Sequence, residues 1–137
     1  MASKSSLLLI LSLLVLQTAR GGELTFAPIH DAFTQNGTNR DLNELRVENS
    51  GRLRITYMLF DLSELIGPPS SATLFLTGGS DKSSGDMTIR LYAATSNEWT
   101  EVDITGDTAP ERGAEISSFE GNIEIGQAVE FDVVSMI

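Results

Sequence analysis

Apolar and polar residues alternate with a period of two through much of the chain. In Leu53–Leu62, Leu53, Ile55, Tyr57 and Leu59 share one phase and Arg54, Thr56, Met58 and Phe60 the other. That alternation marks a strand with one face turned to a core. From Tyr57 to Phe60 both phases are apolar, as in a strand covered on both sides for part of its length. The stretch 71–78 sets Ala72, Leu74 and Leu76 against Thr73, Phe75 and Thr77. The stretch 86–94 sets Met87, Ile89, Leu91 and Ala93 against Thr88, Arg90 and Tyr92, and 128–134 sets Val129, Phe131 and Val133 against Glu130 and Asp132. Weaker strands are expected over 23–29, 30–34, 44–48 and 115–119.

The breaks between these runs, among them "NGTN", "GPPSS", "GGSDKSSGD" and "EGN", are rich in residues that suit turns. No sustained helical period follows residue 22; "DLSELIG" offers at most one turn, capped by Asp61 or Ser63. The pattern predicts an all-β fold, a jelly-roll-like β-sandwich of antiparallel strands. Phe60, Leu74, Ile89, Leu91 and Phe131 are its expected core residues, and the link from Asp61 to Ser71 is expected to cross over the edge of the sandwich.

The start of the chain reads differently. Lys4, the unbroken apolar run Leu7–Leu16 and the small residues Ala19 and Gly21 have the three-part form of a secretory signal. The run is too short for an ordinary membrane span of about twenty residues. Residues 1–21 are therefore expected to be an export signal, residues 22–137 a single domain, and the mature protein soluble and extracellular. The signal carries Lys4 and Arg20 and no acid. Its loss takes nine Lys/Arg to seven against 19 Asp/Glu, so the net charge moves from −10 to −12. So acidic a surface excludes binding to nucleic acid or to an anionic membrane through the overall field. There is no cysteine, which removes disulfides, thiolate metal sites and cysteine nucleophiles together and leaves stability to the core.

At this point the sequence resembles a known family. The ordered set is Arg54, then "FDLS" from Phe60, "SATLFL" from Ser71, "IRLYAA" from Ile89, and Trp99-Thr100-Glu101, Ile104-Thr105 and Ala109-Pro110, with "HDAF" before it and "AVEFDVVSMI" after it. It is similar to the DNRLRE-type β-sandwich domain, the group that includes the family 96 carbohydrate-binding modules, over nearly all of residues 24–137. The resemblance implies a β-sandwich and a non-catalytic, carbohydrate-binding role, with polysaccharide as partner. Two departures stand out. Gly106 and Asp107 follow Ile104-Thr105, where the family carries tryptophan. The family also continues past the "FDV" strand with one or two more strands. Either the chain is a fragment, or its sandwich lacks an edge or central strand and exposes sheet edge there.

Candidate chemistry is sparse. His30 is the one histidine, with no nucleophile motif or metal-spaced partners, and no enzymatic activity is expected. Arg46, Arg54, Arg90 and Tyr92 are the candidate ligand-binding residues, with Arg54 and Arg90 in the polar phase of their strands. Guanidinium groups hold carboxylate or sulfate in bidentate fashion and a ring offers an apolar surface to sugar, so an anionic, alginate-like polysaccharide is the indicated ligand. Pairing of these arginines with Glu44, Glu48, Glu130 and Asp132 across strands remains the other reading. Trp99 is open to a packing or a sugar-stacking role. No cofactor is implied. Calcium is the one ion the acids suit, at Asp81–Asp86 or Asp103–Asp107, neither with a recognised calcium spacing. Asn36-Gly37-Thr38 is a glycosylation sequon as well as a turn. Two rival functions stay open: a structural or adhesive surface module, and an accessory fragment of a polysaccharide-degrading enzyme whose catalytic domain lies outside this chain.

Overall fold

The computed structural model describes residues 6–18, 20–40, 44–49, 51–79 and 85–137, and side chains from Leu14 onward. Among these residues ten strands follow one another: β1 (Ser6–Gln17), β2 (Glu23–Phe26), β3 (His30–Gln35), β4 (Thr38–Arg40), β5 (Leu45–Asn49), β6 (Leu53–Leu59), β7 (Ser71–Gly78), β8 (Met87–Ala94), β9 (Arg112–Gly121) and β10 (Ala128–Asp132). Every pairing is antiparallel. One sheet runs β10-β7-β1-β5-β6-β3-β4, with β2 also paired to β1, and β8 and β9 make a second, two-stranded sheet. The fold is all-β, as the alternation predicts.

The two sheets share one core. Leu74, Leu76, Val129 and Phe131 from the large sheet pack in the same cluster as Met87 and Ile89 of β8, with Leu91, Ile116 and Phe119 partly buried against them. The regular alternation of β7 puts Ala72, Leu74 and Leu76 inside. Of the expected core residues, Leu74, Ile89 and Phe131 are buried, while Phe60 and Leu91 are half-buried at its margin. A second, smaller cluster lies between β3, β6 and the segment 96–109: Ala32, Trp99 and Ile104, flanked by Tyr57, Leu59 and Ala109.

Two expectations are corrected. First, the amino-terminal half of β6 is turned the other way from its hydropathy. Arg54 is buried, while Leu53 and Ile55 are 48% and 40% exposed. The reason is a polar network that needs the interior position: Arg54 Nη1 lies 2.9 Å from Glu48 Oε2 of β5, and Arg54 Nε donates to Gln35 Oε1 of β3 at 3.0 Å. Second, the link from Asp61 to Ser70 does not pass between the sheets. It joins β6 and β7, which belong to the same large sheet, and Ser70 N donates to Gln17 O at the end of β1 at 2.8 Å. Its one turn closes by Leu65 N to Leu62 O, with Asp61 Oδ1 accepting from Ser63 N.

The apolar amino-terminal run is a central strand here. β1 is hydrogen-bonded to β7 along one edge and to β5 and β2 along the other. Leu14 and Leu16 are buried in the main cluster. A short continuous apolar run suits such a strand as well as it suits an export signal.

Candidate functional site

The outward face of the β8–β9 sheet carries two exposed guanidinium groups, Arg90 and Arg112, while Arg20, Arg40 and Arg52 are exposed elsewhere. In β8 the core takes Met87 and Ile89, so the alternate residues Thr88, Arg90 and Tyr92 point away from it. Arg90 and Tyr92 are two residues apart on one face, about 7 Å along the strand. Across the ladder, β9 is irregular: its register shifts between Leu91 and Tyr92, and again between Tyr92 and Ala94. The shift brings Arg112, the first residue of β9, over the Tyr92 ring, its guanidinium carbon 4.6 Å from the ring centroid. That distance is a cation–π contact. Gly113 permits the close approach behind it, because a Cβ there would lie 2.9 Å from Ala93 O. Arg90 Nε lies 3.6 Å from Glu115 Oε2, a pair whose side chains are 50% and 46% exposed.

The four ligand-binding candidates do not share one face. Arg90 and Tyr92 stand together on the small sheet, whereas Arg46 and Arg54 belong to the large one. Arg46 is half-buried and pairs with Glu44, two residues before it. Arg54 is 7% exposed and its partner Glu48 11%. It cross-links β3, β5 and β6, and its guanidinium has no open approach for a sugar acid. Tyr92 has one ring face taken by Arg112. It steadies that guanidinium rather than offering both faces to a sugar. Arg112 was not among the sequence candidates, because alternation becomes readable only from Glu115, three residues after β9 begins.

The other candidates fall in and around the smaller cluster. Trp99 packs rather than projects: it is 8% exposed, its ring centroid 6.0 Å from that of His30 and 6.1 Å from that of Tyr57. A shallow cavity of 350 Å³ opens beside it, lined also by Asn97, Glu98, Thr100, Asp103 and Thr108. His30 Nδ1 is 3.5 Å from Glu101 Oε1. Neighbouring Asp31 has its pKa raised above the usual 3.8, first by burial and then by the charge of Glu101. Burial likewise pushes the Tyr57 hydroxyl up from 10.0, partly offset by its hydrogen bond with Thr34.

Asn36 and Gly37 form the two-residue turn between β3 and β4, both with positive φ, 50° and 80°. Positive φ at both positions defines a type I′ hairpin turn. Asn36 is exposed, and its Oδ1 accepts from Leu53 N at 2.9 Å. Gly106 docks on this turn through Gly106 N to Gly37 O, 2.8 Å. A Cβ at residue 106 would lie 2.9 Å from Gly37 Cα. A side chain at residue 106 would therefore collide with the turn. Of the calcium candidates, Asp81 lies outside the described residues. Asp103 Oδ2 accepts from Thr100 Oγ1 at 2.8 Å, and no cluster of three metal-ligating side chains occurs among the described residues.

Comparison with known proteins adds one finding. No curated protein and no solved structure matches the chain. A family model, that of carbohydrate-binding module family 96, matches residues 22–137. The match covers both sheets apart from β1 and takes in the β8–β9 face in full. The chain belongs to carbohydrate-binding module family 96.

Proposed function

We propose that this is a secreted, non-catalytic module that binds an anionic polysaccharide through the outward face of the β8–β9 sheet. Family membership supports carbohydrate as the ligand class. The observation that carries the finer reading is the Arg112–Tyr92 contact with Arg90 one alternation away. Arg112 lies over the Tyr92 ring, and the N–H groups of its guanidinium suit the two oxygens of a uronate or the oxygens of a sulfate. Among the described residues, Arg90 pairs with exposed Glu115. Exposed pairs of this kind contribute about 0–1 kcal/mol, so a ligand carboxylate can replace Glu115 at little cost. The protein as a whole is acidic and Glu115 and Glu120 share this face with the two arginines, so an anionic ligand is held by specific guanidinium contacts and not by the overall field.

Calorimetry against alginate, pectate, a sulfated galactan and a neutral glucan tests this. The uronate or sulfated chains should bind, the neutral glucan should not, and binding should weaken as salt rises because exposed charges are screened over about 10 Å at 0.1 M. Binding to none of the four by a folded protein would instead favour the adhesive or structural role. Export is tested separately by amino-terminal sequencing of the secreted protein: removal of about twenty residues is expected, and retention of Met1 in a membrane fraction would contradict it.

A further inference from the structure

The shallow cavity of 350 Å³ beside Trp99 shares no residue with the β8–β9 face. Its lining is Asn97, Glu98, Trp99, Thr100, Asp103 and Thr108: two carboxylates and no cation. Bonds within the segment hold the walls. Thr100 Oγ1 donates to Asp103 Oδ2 at 2.8 Å, Thr108 Oγ1 donates to Asp103 O at 2.8 Å, and Glu98 N donates to Ser96 Oγ at 3.0 Å. Asp103 Oδ1, the Glu98 carboxylate and the Asn97 side-chain amide are left without a partner among the described residues.

Acidic residues alone would mark a solvated rim, but Trp99 adds a separate demand. It is 8% exposed, and its ring packs against His30 and Tyr57. Its indole N–H has no acceptor among the described residues and is not sealed from solvent. Trp99 meets open space at this cavity, so the donor is offered to whatever enters it. An unpaired donor in so buried a ring is costly unless a partner arrives.

The two demands narrow the ligand. Carboxylates without a cation between them suit an ammonium, which only donates. The indole N–H also only donates, so it needs an oxygen that an ammonium does not offer. Calcium takes about six to eight oxygens, and no group of three metal-ligating side chains occurs among the described residues. A ligand that meets both demands carries an ammonium and a hydroxyl on neighbouring carbons. An amino sugar does so, and family membership gives sugar as the ligand class. The formal net charge of −10 draws cations to the surface.

We propose that this cavity is a second binding site, for a protonated amino sugar such as the glucosamine unit of a deacetylated chitin chain. The ammonium pairs with Glu98 and Asp103, and a neighbouring hydroxyl oxygen accepts from the Trp99 indole N–H. Asn97 and Thr108 are placed to bond the remaining hydroxyls. The site rests on the chemistry of the cavity and on the family's ligand class, and is independent of the polyanion reading of the β8–β9 face.

Trp99 is the one tryptophan of the chain, so its fluorescence reports this cavity and not the other face. The full chain is titrated at mildly acidic pH with a chitosan oligosaccharide, with the fully N-acetylated oligosaccharide of the same length, and with calcium chloride. The chitosan oligosaccharide should give a saturable change in emission that weakens as salt rises. The acetylated form has no ammonium and should bind about tenfold more weakly or worse. Glu98→Gln with Asp103→Asn should also lose about tenfold or more, and Glu98→Gln alone, at an exposed side chain that bonds to nothing in the fold, should weaken binding with an unchanged melting temperature. The proposal is overturned by an emission that the chitosan oligosaccharide leaves unmoved, by equal affinity for the two oligosaccharides, by the same emission change from calcium chloride alone, or by unaltered affinity in folded Glu98→Gln. Polyanion binding is read by calorimetry, so either site can fail while the other stands.

Discussion

Two arginine–glutamate pairs sit on neighbouring strands of this protein and do different work. Arg54–Glu48 lies inside the large sheet at 2.9 Å, 7% and 11% exposed; Arg90–Glu115 lies on the outside of the small sheet at 3.6 Å, 50% and 46% exposed. The chemistry is the same in both, and burial decides the role. Inside, each charge has given up water and depends on its partner, so the pair fixes the register of β5, β6 and β3. Outside, each charge keeps its water and the partner is replaceable. A guanidinium that serves the fold is therefore unavailable to a ligand, whereas an exposed one contributes little to the fold and stays open to other partners.

The sharpest way to break this comparison is to remove one partner from each pair. Arg54→Ala should destabilise by about 3–5 kcal/mol, because Glu48 is left charged in the interior. Denaturant unfolding measures this, and a loss below 1 kcal/mol would mean that the pair is not structural. The double variant Arg54→Met with Glu48→Leu should recover most of that loss, since a well-packed apolar pair avoids the desolvation cost. Leu74→Ala should cost about 2–5 kcal/mol through the cavity it leaves beneath β1 and β10; a near-zero value would show that the core lies elsewhere. Arg90→Ala should change stability by no more than about 1 kcal/mol while reducing polysaccharide binding.

The smallest effect concerns Asp31. Burial and Glu101 raise its pKa above 3.8, so the folded state holds that proton more tightly than the unfolded chain. Its contribution is favourable at low pH and is lost as pH rises through the raised value. Asp31→Asn should therefore have a slightly higher melting temperature than wild type at pH 7, and the difference should shrink as pH falls below that of the unfolded carboxyl. A difference that is constant with pH would contradict the assignment, because His30 and Glu101 beside it are present in both proteins.

What the sequence made legible follows the same division. β7 was readable to the residue because Ala72, Leu74 and Leu76 alternate with residues that need no interior partner. In β6 hydropathy places Tyr57–Phe60 between two apolar clusters, as found, but turns the amino-terminal half the wrong way, since it sends Arg54 outward and takes no account of Glu48 on β5. β4 is three polar residues, Thr38, Asn39 and Arg40, and exists only because the type I′ turn at Asn36-Gly37 folds them back. β9 was located from Glu115 onward, while Gly113 and the register shifts hid its start and with it Arg112. The candidate site was thus half visible: Arg90 and Tyr92 from alternation, Arg112 only from the ladder. For β1 the same leucine-rich run has the form of an export signal and of a buried strand, and composition does not separate the two.

The central claim is that the ligand site is the β8–β9 face and not the arginines of the large sheet. Calorimetry of alginate binding to wild type, to Arg90→Ala with Arg112→Ala, and to Arg46→Ala tests it most directly. The account predicts that the Arg90/Arg112 variant keeps its melting temperature within a few degrees and loses on the order of a hundredfold in affinity or more, with each of the two lost charge-assisted contacts worth roughly 1.5–3 kcal/mol, while Arg46→Ala binds as wild type does. Unchanged binding by the Arg90/Arg112 variant, with the loss falling on Arg46→Ala, would contradict it.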